Sequence, residues 1–361
     1  MFTASFSLFL FSGTLPAYLY RERGFSLSLV GALVGLAFGV QLLATIISGP
    51  LIDRRGARLA LRLGPVLYLA AALLFFGSSA PALIGLARVL QGVGIALIVP
   101  AAFALLPSLV SPAVRGTALG AFGVFQNLAL ATGPPVGLWL LRRGAAVLFI
   151  VAIATSAVSL LLSLLLRVGV PSEVRKNLFA FRRPWAPLLL ITFLTIVYWG
   201  VVTAFLPINV PPASLSNVGW FFSADALAVL ACRIPAGYLA DRYGPRWLLM
   251  AGILVTVAAI GVLTLPPSLA VLVLAGIGTG AGAALLLPPI LLELANRSQE
   301  SERGTAMALF YTSFAAAVGL GSLAGAPLVQ RLGFHAALWL SALICLLSLP
   351  VVLRLPARAH R

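Results

Sequence analysis

The chain has 361 residues, of which 61% are hydrophobic and only 9% charged, and its mean hydropathy is +1.10. That balance excludes a water-soluble domain of this size and places the chain in a bilayer. The formal net charge is +16, yet the basic residues fall in short turns between apolar runs rather than on a soluble domain, which excludes a nucleic-acid partner.

In chain order, Met1 to Tyr20 is apolar and lacks the positively charged start of a secretory signal, so it reads as a retained first span. Runs long enough to cross about 30 Å of hydrocarbon are expected near residues 3–20, 28–50, 63–79, 82–106, 117–140 and 145–166, and again near 186–208, 217–239, 247–265, 269–292, 305–329 and 334–353. The runs are continuous, which selects helices over the short alternating strands of a barrel. The expected fold is an all-α integral membrane protein with twelve transmembrane helices. Its two pseudo-symmetric six-helix bundles occupy residues 1–167 and 185–361, joined by a polar linker over 168–184 that contains Glu173, Arg175, Lys176 and Asn177. Cys232 and Cys345 sit within spans and read as free, buried small residues.

Orientation follows from the basic residues. Seventeen of the 24 Lys and Arg fall on the face that carries both termini, five fall on the opposite face, and Arg88 and Arg233 lie inside spans. The excess places both termini in the cytoplasm. The protein is therefore expected as a multi-pass component of the inner (plasma) membrane, in contact with lipid.

A charged turn after the second span, with Gly49, Asp53, Arg54, Gly56 and Arg58, returns after the eighth as Gly237, Asp241, Arg242, Gly244 and Arg246, an offset of 188. The same offset carries Arg115-Gly116-Thr117-Ala118 onto Arg303-Gly304-Thr305-Ala306, Gly92 onto Gly280, and Gly133 onto Gly321. The chain is an internal duplication of domain-sized halves, a plan found in transporters with parallel repeats. A carboxylate at the end of one helix is stabilised beside the N-terminus of another, and Gly56 and Gly244 permit a tight reversal. The alternative is a basic turn that only fixes topology.

These features resemble the major facilitator superfamily over essentially the whole chain, through the repeated Gly-x-Leu-x-Asp-Arg-x-Gly-x-Arg pattern. Arg88-Val89-Leu90-Gln91-Gly92 is similar to that family's fourth-helix signature, and Gly133, Pro134 and Gly137 to the core of its antiporter signature in the fifth helix. Ala129 and Leu138 stand where that signature's outer glycines would be. The resemblance implies that Asp53 meets the start of the eleventh span, and Asp241 that of the fifth, when the cavity opens outward. It nominates Tyr18, Gln91, Thr192, Thr195, Tyr198 and Trp199 as cavity residues, with Gln126 and Asn127 as further polar candidates. It also implies a protein that works as a monomer.

Ionisable groups inside spans are costly and usually face a cavity or a partner. Asp225 is the one carboxylate well inside a span. It reads either as a proton-carrying group, since an unpaired carboxylate away from water is costly to ionise, or as half of a buried pair with Arg233 or another arginine. Arg88 reads as a coupling residue or as a hydrogen-bond hub. Arg233, eight residues after Asp225, reads as a third coupling candidate or as a side chain reaching to the interface. Gly31, Gly35 and Gly39 form a ridge for close helix approach, and Gly276, Gly278, Gly280 and Gly282 suggest bending of the tenth span. Many proton-coupled exporters of the family have an acidic residue in the first helix, and this chain has none there.

No cofactor is expected, and no Cys, His or carboxylate cluster has the spacing of a metal site. Gly321-Ser322 with His335 superficially resembles a membrane serine protease, but the glycine belongs to the repeat and packing accounts for it. No phosphate-binding loop for ATP is present. The reading is a secondary transporter of small molecules, not an enzyme. It works by rocking-bundle alternating access and is expected to export in exchange for protons. Uptake symport, facilitation, and a non-transporting receptor or scaffold are the alternatives.

Overall fold

The computed structural model describes residues 2–109, 111, 115–166, 181–299 and 302–355. The side chains of residues 49–50, 53–55, 103–104, 106–109, 115–122, 234, 240–243 and 303–304 lie outside the described set. Most of the expected linker, residues 167–180, lies outside it too.

The described chain is helical from end to end. The first half comprises α1 (Phe2–Glu22), α2 (Leu27–Arg55), α3 (Ala57–Gly77), α4 (Pro81–Leu109), α5 (Arg115–Arg143) and α6 (Ala145–Leu165). The second comprises α7 (Ala186–Asn209), α8 (Leu215–Tyr243), α9 (Pro245–Val262), α10 (Leu269–Asn296), α11 (Arg303–Leu332) and α12 (Phe334–Leu353). Eleven described segments are long and apolar enough to cross a membrane, and α5 is a further helix of 29 residues. At 1.5 Å per residue a 29-residue helix is about 43 Å long, so α2 and α8 overshoot the hydrocarbon and carry their charged turns beyond it.

Packing repeats with the sequence. In the first bundle α2 and α3 pack on α4, and α1 packs on α5 and α6; in the second α8 and α9 pack on α10, and α7 packs on α11 and α12. Two seams join the bundles, α2 against α11 and α5 against α8. Lipid tails are as apolar as the side chains, so association depends on close contact, and small residues supply it. An added Cβ at Gly31 would lie 2.6 Å from the Ser322 carbonyl, at Gly200 2.2 Å from that of Val318, and at Gly321 2.1 Å from that of Val197. These glycines let α11 approach α2 on one side and α7 on the other. Gly39, expected in the same ridge as Gly31 and Gly35, meets nothing within 4 Å.

α10 is one continuous helix through the four glycines of the tenth span. Gly276 and Gly280 face the backbone of α8, at Phe221 and Asp225, while Gly278 and Gly282 face Ala259 and Thr256 of α9. One expectation is corrected. The first span, read as one continuous run, is broken. Its α-helix ends at Phe9 and resumes at Thr14, after Gly13 at φ 74. It then widens into a π-turn over Tyr18–Glu22. Pro16 adds to the break because it has no N–H to donate backwards.

At the entry to α7, Arg182 pairs with Glu302 and Arg297 with Glu293, and the Trp185 indole donates to the Arg297 carbonyl at 3.3 Å. These bonds hold the end of the linker against the connection between α10 and α11.

Candidate functional site

Two buried polar centres occupy equivalent places in the two bundles. The 188-residue offset maps Ala37 onto Asp225, Gln91 onto Thr279 and Gly92 onto Gly280. A Cβ at Gly92 would lie 2.5 Å from the Ala37 carbonyl, and one at Gly280 2.1 Å from that of Asp225. The same close crossing therefore brings α2 to α4 and α8 to α10.

In the first bundle that crossing holds a cation. Arg88 is 7% exposed. Its Nε donates to the Leu33 carbonyl at 2.9 Å, its Nη2 to that of Val34 at 3.1 Å and its Nη1 to Gln91 Oε1 at 2.7 Å. In this conformation Arg88 is a hydrogen-bond hub, and Gln91 is engaged in holding it.

In the second bundle the same crossing holds an anion. Asp225 is 4% exposed and accepts one hydrogen bond, from the Thr279 hydroxyl at 2.7 Å. The Tyr198 phenol lies within electrostatic reach of it. Asp225 and Arg233 form no ion pair: among the described residues the ion pairs are the two at the entry to α7. The carboxylate thus has no cationic partner there.

The other nominated side chains divide. Tyr18 turns into the first bundle, edge-on to Phe149 with its hydroxyl accepting from Arg23 Nε at 2.6 Å, so it is not on a wall between the bundles. Thr192 and Thr195 are fully buried and donate to carbonyls of their own helix. Trp199 is half-buried and packs against Phe221 and Phe222. Gln126 and Asn127 are half-buried on α5, and Asn127 donates to the Gly123 carbonyl. Ser322 is buried in α11 and donates to Gly319, while His335 begins α12, so the protease-like pair has no joint geometry to support it.

Arg233 is exposed and lies ten residues before the charged-turn end of α8, near the edge of the hydrocarbon that this helix overshoots. Its guanidinium rests over Gly123 of α5, 3.2 Å from where a Cβ would stand, and its charge reaches Tyr311 of α11. Because α5 and α8 belong to different bundles, the guanidinium lies where the two bundles face each other.

Hydrogen bonds that join described residues across the bundles all lie towards the face opposite the charged turns. Arg21 Nη2 donates to the carbonyls of Pro207 at 3.0 Å and Ile208 at 3.3 Å, and also to that of Val210. Ser28 bonds Gln330, Arg142 bonds Ser216, and Ser223 donates to the Ala131 carbonyl at 2.6 Å. The fifth-helix motif serves the same region. Gly133 and Gly137 admit the backbone of α1 at Phe9 and Leu10, Pro134 between them is buried, and the adjacent Pro135 sits against Gly219 of α8. Sequence reasoning missed Arg21. The available signal was the repeat, which maps Arg21 onto Asn209 at the end of α7.

At the charged turns, Gly56 has φ 84 and Gly244 φ 82, the left-handed conformation that favours glycine. Arg58 and Arg246 follow as half-buried residues at the starts of α3 and α9, whereas Gly237 lies within α8. The side chains at Gly49, Asp53, Arg54, Asp241 and Arg242 lie outside the described residues.

Twelve described helices in two repeated bundles, bonded to each other towards one face and each holding a buried charged group, give the frame of a membrane transporter with parallel repeats. Residues 1–212 and 188–361 match the profile of the Major Facilitator Superfamily, and the chain belongs to that family. An uncharacterized MFS-type transporter of Salmonella typhimurium is 26% identical over 94% of this chain and 90% of its own. The gentisate transporter of Corynebacterium glutamicum is 26% identical over 95% of this chain and 83% of its own. Among solved structures, the nucleoside transporter NupG superposes with a TM-score of 0.80 over 98% of this chain and 96% of that one, at 13% identity, a likeness of fold.

Proposed function

We propose that this transporter couples solute movement to protons through Asp225 and that it exports its cargo. The observation that carries the coupling is the carboxylate itself, buried between α8 and α10 with Thr279 as its hydrogen-bond donor and no cation beside it among the described residues. An unpaired charge in that position is costly, and a bound proton removes it. Binding and release of the proton then changes what the α8–α10 crossing must tolerate, and α8 is also half of the seam with α5.

The charge count assigns the face with the charged turns to the cytoplasm. On that assignment the described conformation is sealed outside by Arg21, Ser28, Arg142 and Ser223, with Arg233 in the half of α8 nearer the cytoplasm. In the opposite state, Asp53 and Asp241 dock on the starts of α11 and α5, where unpaired N–H groups attract a carboxylate. Residues 1–167 and 185–361 move as the two rocking units of one subunit, tethered by 168–184, in the plasma membrane. Export rests on the fifth-helix motif at Gly133, Pro134 and Gly137, which packs α1 on α5 beside the contact of Pro135 with Gly219 of α8.

A second reading is uptake of an aromatic carboxylate together with a proton. It is favoured by the gentisate transporter, whose likeness spans nearly the whole chain, because one anion moving with one proton carries no net charge.

Sealed proteoliposomes with an imposed pH gradient and an internal pH dye test both. Solute moving against its gradient while protons move the other way supports export. Solute and protons moving together supports uptake. Accumulation that ignores the pH gradient removes proton coupling.

A further inference from the structure

We infer that the cargo carries an anionic group and that Arg233, lying over Gly123, binds it in the space between the bundles. The inference rests on the transporter reading for the word cargo, but its geometry is independent of coupling and direction.

A guanidinium 18 residues into α8, about 27 Å along a helix that overshoots the hydrocarbon, lies near its charged-turn edge and has three usual fates there: a carboxylate partner, a run to the interface, or a water-filled space. The first is absent here, since among the described residues neither an ion pair nor a hydrogen bond engages Arg233. The second does not fit, because the guanidinium lies against α5 at Gly123 rather than turning outward along α8. The third remains, and the approach of a guanidinium from α8 of the second bundle to Gly123 of the first places that space between the bundles.

The repeat makes this arrangement specific. Gly123 and Tyr311 are equivalent positions, each eight residues into its helix, and so are Thr45 and Arg233. A symmetric pair of halves would put matching side chains on both walls. This chain instead has no side chain at 123, a cation reaching into the room that leaves, and a ring on the opposite wall. Tyr311 is partly exposed and stands edge-on to Phe310, with ring centroids 5.3 Å apart.

An exposed, unpaired guanidinium offers a planar fork of donors that matches a carboxylate in two parallel hydrogen bonds. A ring on the facing wall suits a flat aromatic body, which prefers edge or offset contact with another ring. The ligand class is a small aromatic carboxylate, with Arg233 on the carboxylate and Tyr311 on the ring.

The test uses the purified full-length protein in detergent, with benzoate and its neutral amide, benzamide, as probes. Binding is read from the melting temperature and tryptophan fluorescence. The wild type is expected to favour benzoate over benzamide by roughly 10-fold to 100-fold, and Arg233→Gln to reduce that preference to about 1, the scale of a charge-assisted pair. Equal benzoate affinity in wild type and Arg233→Gln overturns the inference, as does a wild type that prefers benzamide or binds neither. Should Arg233→Gln fail to fold, Gly123→Ala crowds the guanidinium and is expected to weaken benzoate selectively; unchanged selectivity overturns the inference. Flux in proteoliposomes reads the other question. Benzoate bound through Arg233 but never transported removes the transport of this cargo and leaves the site standing.

Discussion

Arg21, on the π-turn that ends α1, donates to the Pro207 carbonyl at 3.0 Å and to two further carbonyls at the end of α7. The last carbonyls of a helix have no partner within it and carry the negative end of its dipole. A cation of the first bundle therefore caps a helix of the second.

Replacing this cap changes the balance between the two faces. Hydrogen bonds to a charged group are worth about 1.5 to 3 kcal/mol, so Arg21→Gln is expected to shift the equilibrium towards the outward-open state by roughly 10-fold to 100-fold. Ala131→Cys, placed beside the Ser223 contact, is expected to resist an impermeant maleimide added outside in the otherwise native chain and to react in the Arg21→Gln background. Equal labelling in both shows that Arg21 does not hold the outer seal.

Asp225→Asn keeps an oxygen that accepts from Thr279 and removes the titrating proton. The variant is expected to fold normally, to lose accumulation driven by a pH gradient, and to retain exchange of solute for solute. Full gradient-driven accumulation returns Asp225 to a purely structural part.

Glycine at a helix crossing is a steric requirement. Gly280→Ala places a methyl group 2.1 Å from the Asp225 carbonyl and is expected to lower stability by about 1 to 3 kcal/mol. Gly39→Ala meets nothing and is expected to be neutral, or stabilising by up to about 1 kcal/mol through helix propensity. Thermal unfolding in detergent compares the two directly.

Arg88→Met fills much of the same volume but leaves the Gln91 amide without its cation and the α2 carbonyls of Leu33 and Val34 without their donor. A loss of about 2 to 4 kcal/mol is expected from these broken buried bonds. A variant that melts with the wild type but transports poorly points instead to a coupling role for Arg88.

Asp53→Asn and Asp241→Asn test the charged turns. Each is expected to slow transport several-fold with normal yield of folded protein, because the helix-start contact that closes the cytoplasmic side is weakened by about 0.3 to 1 kcal/mol or somewhat more where partly buried. Transport at the wild-type rate in both variants leaves the turns with topology alone.

The sequence by itself determined the twelve spans, their grouping into two halves and the repeat of 188 residues, because length, hydropathy and self-similarity are properties of the chain read one residue at a time. It also marked Asp225, Arg88 and Arg233 as unusual, since a charge in an apolar run is visible without knowing its neighbours. Their partners were a matter of tertiary structure. Asp225 meets Thr279 rather than Arg233 because the α8–α10 crossing at Gly280 turns it into the bundle, whereas Arg233, about two turns away, reaches α5. Tyr18 was expected on the cavity wall, but the break at Gly13 and the π-turn after it rotate that side chain towards Phe149. The same turn aims Arg21 at α7. Helical periodicity predicts a face only while the helix is regular, and here a glycine, a proline and one widened turn decided which residues look across the protein and which look in.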